Sequence, residues 1–225
     1  MDLKYILCDE ASKDKINIKG ELHKYLVKVR RHNVGDELDL RAKNDLSMLH
    51  SYKISSIDPK SLELSLLSSR MLEVKSEKYL HVAWCVIDLK SIEKVLPMLN
   101  ELGVSRVTFV YCERSQRNIK LDFARFERIL EASMQQCGRS SMMDLDECKS
   151  IKEFLHEFDD VVVFDFCQHS LGSDANFKRV LVGCEGGFSK SEREMLGSKK
   201  SFRLETPMVL RSESAVVAIC SKILL

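Results

Sequence analysis

None of the eight cysteines forms a CxxC pair, so the thiol spacing that zinc ribbons and thiol oxidoreductases use is missing. Most of them sit in apolar or helical patterns, where a free thiol behaves as a small hydrophobe. The reading is a cytoplasmic chain with reduced core cysteines and no structural metal. No apolar run approaches the ~20 residues of a membrane span, so no membrane partner is expected. The opening Met1-Asp2-Leu3-Lys4-Tyr5-Ile6-Leu7 looks like a strand and lacks the apolar segment of a signal peptide. Neither GxGxxG nor GxxxxGK[ST] occurs, which disfavours a nicotinamide-dinucleotide fold or a nucleoside triphosphatase. Charge of one sign is lacking as well: 35 lysines and arginines face 34 aspartates and glutamates, a net of +1. No global field announces a nucleic-acid partner. There are no internal repeats and no low-complexity tracts. What remains, 225 residues of which 44% are hydrophobic and 31% charged, is enough for a core in one large domain or two small ones.

Glycine is scarce, yet three of the nine fall within five positions, Gly183-Cys184-Glu185-Gly186-Gly187. They follow the apolar run Val180-Leu181-Val182 and precede Ser189-Lys190-Ser191-Glu192, a helix-start signature. A strand that ends in a glycine turn and enters a helix reads as a ligand-binding loop, because glycine lets a ligand lie against the main chain. Taken alone, the same residues also fit a tight strand-to-helix turn that binds nothing. A helix length later comes Pro207-Met208-Val209-Leu210-Arg211-Ser212-Glu213.

Positive charge is clustered locally. Lys19, Lys24, Lys28, Arg30 and Arg31, with His23 and His32, are opposed only by Glu21 over fourteen residues. Arg114, Arg117, Lys120, Arg125 and Arg128 form a second group, diluted by Glu113, Asp122 and Glu127. Each cluster could track phosphates, or be the solvated face of an ordinary element.

Short β-rich runs fill the first seventy residues: Leu3–Cys8, Tyr25–Val29, Glu37–Arg41, Ser47–Ile54 and Leu62–Leu67. Turn signals at Val34-Gly35-Asp36, Lys43-Asn44-Asp45 and Asp58-Pro59-Lys60 separate them, the pattern of a small antiparallel barrel or sandwich. After a charged connector near Met71–Lys78, strands alternate with helices. Strands are expected at Leu80–Ile87, Arg106–Tyr111, Val161–Phe166 and Val180–Val182. Helices are expected at Ile92–Leu102, stopped by Gly103, at Asp122–Cys137, closed by Gly138, and from Glu213 to Leu225. That alternation predicts a mostly parallel sheet covered by helices.

Together these motifs resemble the bacterial 16S ribosomal RNA uridine-N3 methyltransferases of the SPOUT class. Val182–Gly187 is similar to that family's IGPEGG loop, and Pro207–Ala215 to the second half of its LGPRILRTETA segment. Glu101-Leu102-Gly103-Val104 is similar to ELGV, Glu113-Arg114-Ser115 to ERS, and Gln136-Cys137-Gly138-Arg139 to QxGR. Val27-Lys28-Val29-Arg30-Arg31 with Val34-Gly35-Asp36-Glu37 resembles a VLR…VGDEL hairpin. The resemblance implies an N-terminal PUA-like β-barrel over residues 1–72 that holds RNA. Residues 73–225 would then be a SPOUT α/β domain tied in a trefoil knot and working as a homodimer. The chain departs from the pattern where Cys184 replaces the proline of GPEGG, Thr206 a glycine, Glu205 a leucine, Met208 an arginine and Arg30 a leucine.

The resemblance also implies S-adenosylmethionine as cofactor and the small ribosomal subunit as substrate. The cofactor would rest among Val182, Gly183, Glu185, Gly186 and Gly187, with Leu204, Thr206, Val209 and Leu210 from the later loop. Arg114 is the first catalytic candidate, orienting the uridine or its phosphate; the other reading is an ion pair with Glu113 or Asp122. Arg211 could serve the base, a phosphate or the cofactor carboxylate, or pair with Glu213 or Glu185. Glu185 could accept bonds from the cofactor or from loop amides. RNA contacts fall on Lys24, Lys28, Arg30 and Arg31, and Gln136 and Arg139 would face RNA or the dimer partner. Competing readings are a SPOUT enzyme acting on another RNA or ring position, and a non-catalytic RNA-binding or ribosome-assembly protein that lost its cofactor.

Overall fold

The computed structural model describes residues 3–116, 119–172 and 176–225. It divides into two compact units, one running to Lys75 and including Met134–Ser141, the other made of Ser76–Ser133 and Met142–Leu225.

The first unit is built on alternation. Strands β1 (Ile6–Leu7), β2 (Lys15–Lys19), β3 (Glu37–Ala42), β4 (Asp45–Ile57) and β5 (Ser61–Met71) form one sheet in the order β1-β3-β4-β5-β2. Only the β1–β3 pair is parallel. Tyr52 and Ile54 on β4 and Leu62 and Leu64 on β5 point inward at no more than 1% exposure, with Lys53 and Ser55 outward. Burying each such aliphatic side chain stabilises the fold by about 1.5–3 kcal/mol. The sheet curls as a half-barrel with edges at β1 and β2, rather than closing as the barrel or sandwich that the sequence suggests.

A second correction falls on residues 25–29. Helix α1 (Gly20–Lys24) runs directly into a π-helical turn, Tyr25–Val29, where a strand was expected. His23 and Leu26 lie three apart on one helical face and are both buried, so packing overrides the β propensity of Tyr25, Val27 and Val29. The resemblance to a hairpin at residues 27–37 fails for the same reason; the hairpin here is β3–β4. Residues 134–141 join this unit through hydrogen bonds: Lys4 N–H donates to Gln135 O (2.8 Å), Tyr5 Oη to Arg139 O (2.6 Å), and Val74 N–H to Ser140 Oγ (2.8 Å).

The second unit carries a six-stranded, wholly parallel sheet. Its strands are β6 (His81–Cys85), β7 (Arg106–Val110), β8 (Asp144–Cys148), β9 (Val162–Phe164), β10 (Arg179–Val182) and β11 (Ser201–Phe202), in the order β11-β9-β10-β6-β7-β8. Central β6 is buried along its whole length, which is why its sequence reads as an apolar run after His81. Helices α2 (Leu89–Leu102), α4 (Ile151–Glu157), α5 (Lys190–Leu196) and α6 (Ser212–Leu224) complete the unit, with α3 (Phe123–Cys137) as far as Ser133. Gly103 ends α2 at φ +94°, a left-handed cap that favours glycine. Strands β2, β8 and β11 and helix α4 were not expected. β8 is an edge strand of composition DLDEC, too polar to announce itself.

Candidate functional site

The glycine loop leaves β10, whose Val180, Leu181 and Val182 are buried between β6 and β9. It therefore lies at the carboxyl ends of parallel strands, where open α/β sheets bind ligands. The Gly187 N–H donates to Cys184 O (2.9 Å), and Gly187 sits at φ +64°. Ser189 and Glu192 then make the expected capping box: Ser189 Oγ accepts from the Glu192 N–H, and the Glu192 carboxylate accepts from the Ser189 N–H. Buried Ser212, at the start of α6, donates to Gly183 O (2.6 Å) and accepts from Trp84 Nε1 (2.8 Å) on β6. Strand, loop and helix are thereby held in one network.

Opposite the glycines runs the loop 204–210. Together the two loops line an open cleft with 240 Å³ of free volume. All nine residues expected to hold the cofactor line it: Val182, Gly183, Glu185, Gly186 and Gly187 on one side, Leu204, Thr206, Val209 and Leu210 on the other. Met208 and Val209 are apolar yet 65% and 77% exposed at its rim, the signature of a surface meant to be covered by a ligand. Thr206 replaces glycine without backbone strain, since its φ is not positive, and its hydroxyl accepts from the Met208 N–H (3.2 Å), tightening the loop.

Arg114 reaches the same loop. Its Nη1 donates to Gly186 O (2.7 Å), so it is tied to the glycine turn rather than to Glu113 or Asp122. Its neighbour Glu113 is clasped by α5: the Glu113 N–H donates to Glu192 Oε1 (2.8 Å), and Ser191 Oγ donates to Glu113 Oε1 (2.7 Å). Arg211 caps α6 but lies outside the cleft lining, 81% exposed, with Nη1 3.9 Å from Glu213 Oε1.

The structure adds residues the sequence reading missed. Phe164, Asp165 and Phe166, at the carboxyl end of β9, line the cleft with Phe202, Arg203 and Arg193. Arg193 forks onto Asp165, Nε to Oδ2 at 2.8 Å and Nη2 to Oδ1 at 3.1 Å. The position of Asp165 just past a strand end was the available signal. Three of the presumed core cysteines also meet beside the glycine turn. Cys112 Sγ lies 3.4 Å from Cys184 Sγ, and hydrogen bonding to Cys112, then burial, push the Cys85 and Cys184 thiols up.

The basic residues divide. Lys24, Lys28 and Arg31 are exposed on the first unit, Lys24 pairing with Glu21 at 2.6 Å. Arg30 donates to Tyr25 Oη (2.8 Å) and lies over that ring. His23 leaves the basic cluster altogether: it is buried, with Nε2 3.1 Å from Asp58 O. Gln136 is exposed, whereas Arg139 is only 8% exposed and donates to Ser141 Oγ (3.2 Å), so it braces its own unit instead of presenting a side chain outward. In the second cluster Arg125 forks onto Glu93 and Arg128 donates to Ala124 O (3.2 Å); Arg117 lies outside the described residues. Among the described residues no group of His, Cys, Asp and Glu could hold a metal ion, and no helix is long and apolar enough to cross a membrane.

A parallel sheet with a glycine turn and an apolar loop facing each other across a cleft defines a cofactor-dependent α/β enzyme domain. Residues 74–224 match the RNA methyltransferase domain family. Over 223 residues the chain is 39% identical to Ribosomal RNA small subunit methyltransferase E of Helicobacter pylori, covering 97% of this chain and 98% of that protein. The chain belongs to this RNA methyltransferase family. Two solved structures share the fold. A methyltransferase of Legionella pneumophila in complex with the cofactor SAM has a TM-score of 0.78 at 20% identity, over 97% of this chain and 95% of that one. The small subunit methyltransferase E of Neisseria gonorrhoeae bound to S-adenosyl methionine has a TM-score of 0.77 at 16% identity, over 98% and 96%.

Proposed function

We propose that this RNA methyltransferase transfers the methyl group of S-adenosylmethionine to N3 of a uridine in 16S ribosomal RNA, acting on the assembled small subunit in the cytoplasm. The observation that carries the reading is the convergence of all nine expected cofactor residues on one cleft. The residues fit the group. A side chain at Gly186 would crowd Arg114, since a Cβ there would lie 3.3 Å from it, and the rim offers exposed apolar surface to an adenine.

In this reading Leu204, Val209 and Leu210 pack the adenine, and the turn Gly183–Gly187 presents main-chain groups to it. Bound there, S-adenosylmethionine supplies a methyl group on a positively charged sulfur. The protein's own task is the uridine. Its N3 carries a proton and is a poor nucleophile until that proton is lost, and the resulting charge spreads over the two flanking carbonyl oxygens. Arg114, anchored at Gly186 O by one nitrogen, has further guanidinium donors to offer that charge or the neighbouring phosphate. Exposed Arg211 serves a phosphate of the same RNA.

Residues 1–72, which fall within the first unit, are in this reading a PUA-like RNA-holding domain. Lys24, Lys28, Arg30 and Arg31 meet phosphates, and Gln136 contacts RNA or the second subunit. Residues 73–225 form the SPOUT domain with its trefoil knot, working as a homodimer. The test is methyl transfer from labelled S-adenosylmethionine to small subunits lacking the modification, followed by nucleoside analysis. Label in 3-methyluridine is expected. Label in another nucleoside would move the target, and absence of both transfer and calorimetric cofactor binding would overturn the reading.

A further inference from the structure

Cys184 stands in the middle of the glycine turn, and Cys112 in the loop that carries Arg114. Their sulfurs are 3.4 Å apart although 72 residues separate them in sequence. Cys184 is 7% exposed and Cys112 half-buried, so an oxidant the size of water meets Cys112 first. Ser115 Oγ lies 3.2 Å from Cys112 Sγ, placing a hydroxyl where it can donate to a thiolate. We infer that Cys112 and Cys184 form a peroxide-responsive pair that closes into a disulfide and deforms the cofactor turn. This inference rests on the cofactor reading of the cleft.

The electrostatics suit an attacking sulfur at Cys112. Hydrogen bonding with Cys184 and then with Cys85, joined by Ser115 and the Arg114 N–H, holds its thiol well below the usual range, while the same contact and burial hold Cys184 up as a thiol. The Cys112 thiolate attacks one oxygen of hydrogen peroxide. The O–O bond breaks, hydroxide leaves and takes a proton to become water, and the sulfur is oxidised to a sulfenic acid. Cys184 then gives up its proton and its sulfur attacks the Cys112 sulfur. The S–O bond breaks and the hydroxyl leaves with that proton as a second water. Two thiols and one peroxide have become one disulfide and two waters, and a thiol reductant reverses the change.

A disulfide draws two sulfurs to about 2.05 Å, more than 1 Å closer than they now stand. That movement falls on a turn fixed at both ends, by Ser212 on Gly183 O and by Arg114 on Gly186 O. Misplacement of that order in a site costs up to roughly 10²-fold in function.

The full chain is treated with stoichiometric hydrogen peroxide, digested without reduction and examined by mass spectrometry, with calorimetric titration of S-adenosylmethionine before and after. A peptide linking Cys112 to Cys184, at least tenfold weaker cofactor binding, and recovery of binding on adding dithiothreitol are the expected results. Cys112→Ser should give no linked peptide and should keep its binding after peroxide, with its thermal midpoint confirming the fold. Absence of the linked peptide, a Cys85–Cys112 linkage in its place, or unchanged binding in the linked protein each overturns the proposal. Reduced protein that never binds S-adenosylmethionine overturns the cofactor reading instead, and the linked peptide still reports on the thiol pair.

Discussion

A side chain added at Gly186 meets Arg114 before it meets solvent, with Cβ and Cδ of the arginine both 3.3 Å from the new atom. Gly186→Val should therefore push Arg114 off the turn and, as a branched side chain on a residue that itself lines the cleft, abolish calorimetric binding of S-adenosylmethionine while leaving the thermal midpoint within a few degrees; a normal titration would remove this loop from the cofactor site. Arg114→Ala tests the other half of the contact. The turn loses one hydrogen bond, so cofactor affinity should fall less than tenfold, whereas single-turnover methyl transfer should fall by roughly 10²-fold if the guanidinium stabilises developing charge. An unchanged single-turnover rate with saturating RNA takes Arg114 out of the chemistry, and Arg114→Lys should restore little, having lost the planar fork. Arg31 makes a different argument. It is held at φ +61°, and the left-handed region costs a non-glycine residue about 1–2 kcal/mol. Arg31→Gly should raise stability by about 0.5–1 kcal/mol after the greater freedom of glycine in the unfolded chain is counted, and should weaken RNA binding. Urea unfolding alongside an RNA titration checks both signs; weaker RNA binding without a gain in stability would mean the conformation is not strained.

Strand β6 shows how an element in the centre of a sheet sets a pH dependence. His81 at its start is fully buried, with Nε2 2.8 Å from Thr108 Oγ1 on β7 and Nδ1 accepting from Arg179 Nε (3.0 Å) on β10. Burial first, then the charges of Arg179 and Arg106, push its pKa down to about 3. The unfolded chain takes up the proton near pH 6.5, so the stability this group contributes is present above that pH and is lost as pH falls toward the folded value. Between pH 7 and pH 5 the loss from this one residue is about 2 kcal/mol. His81→Gln should lower stability at pH 7 but flatten the slope of unfolding free energy between pH 7 and pH 5; equal slopes in the two proteins would reject the assignment. The legibility of the elements follows the same physics. β6, β10, α2 and the Ser189–Glu192 capping box could be read from sequence because burial on both faces, helical periodicity or a local hydrogen bond dictates them. The segment 25–29 could not, because its β-branched and aromatic residues are overruled by the packing of Leu26 and His23. Nor could β8, whose acidic residues are tolerated only at an edge. Within the site the glycine turn and its partner loop were visible as motifs. The Cys112–Cys184 and Arg193–Asp165 pairs were not, because each joins residues far apart in sequence.

At the scale of the molecule, a net charge of +1 means that RNA binding must come from a local face and not from a general field. The second basic cluster is compromised as a phosphate track, since Arg125 is forked onto Glu93 and Arg114 is tied to Gly186 O. The first unit keeps exposed Lys24, Lys28 and Arg31 around one helical turn, and the Lys24–Glu21 pair is too solvated to hold its lysine back. Each phosphate contact releases counterions and adds just under one to the slope of log affinity against log salt. Replacing Lys24, Lys28 and Arg31 together by alanine should therefore lower that slope by about two to three and weaken binding at low salt far more than at high salt. Cofactor binding should be untouched, because the cleft is built wholly from the second unit. Filter binding of small-subunit RNA across a salt series, with a parallel calorimetric titration of S-adenosylmethionine, gives both numbers. A slope equal to that of the parent chain would show that these three side chains are only a solvated surface, and RNA contact would then have to be sought on the second unit.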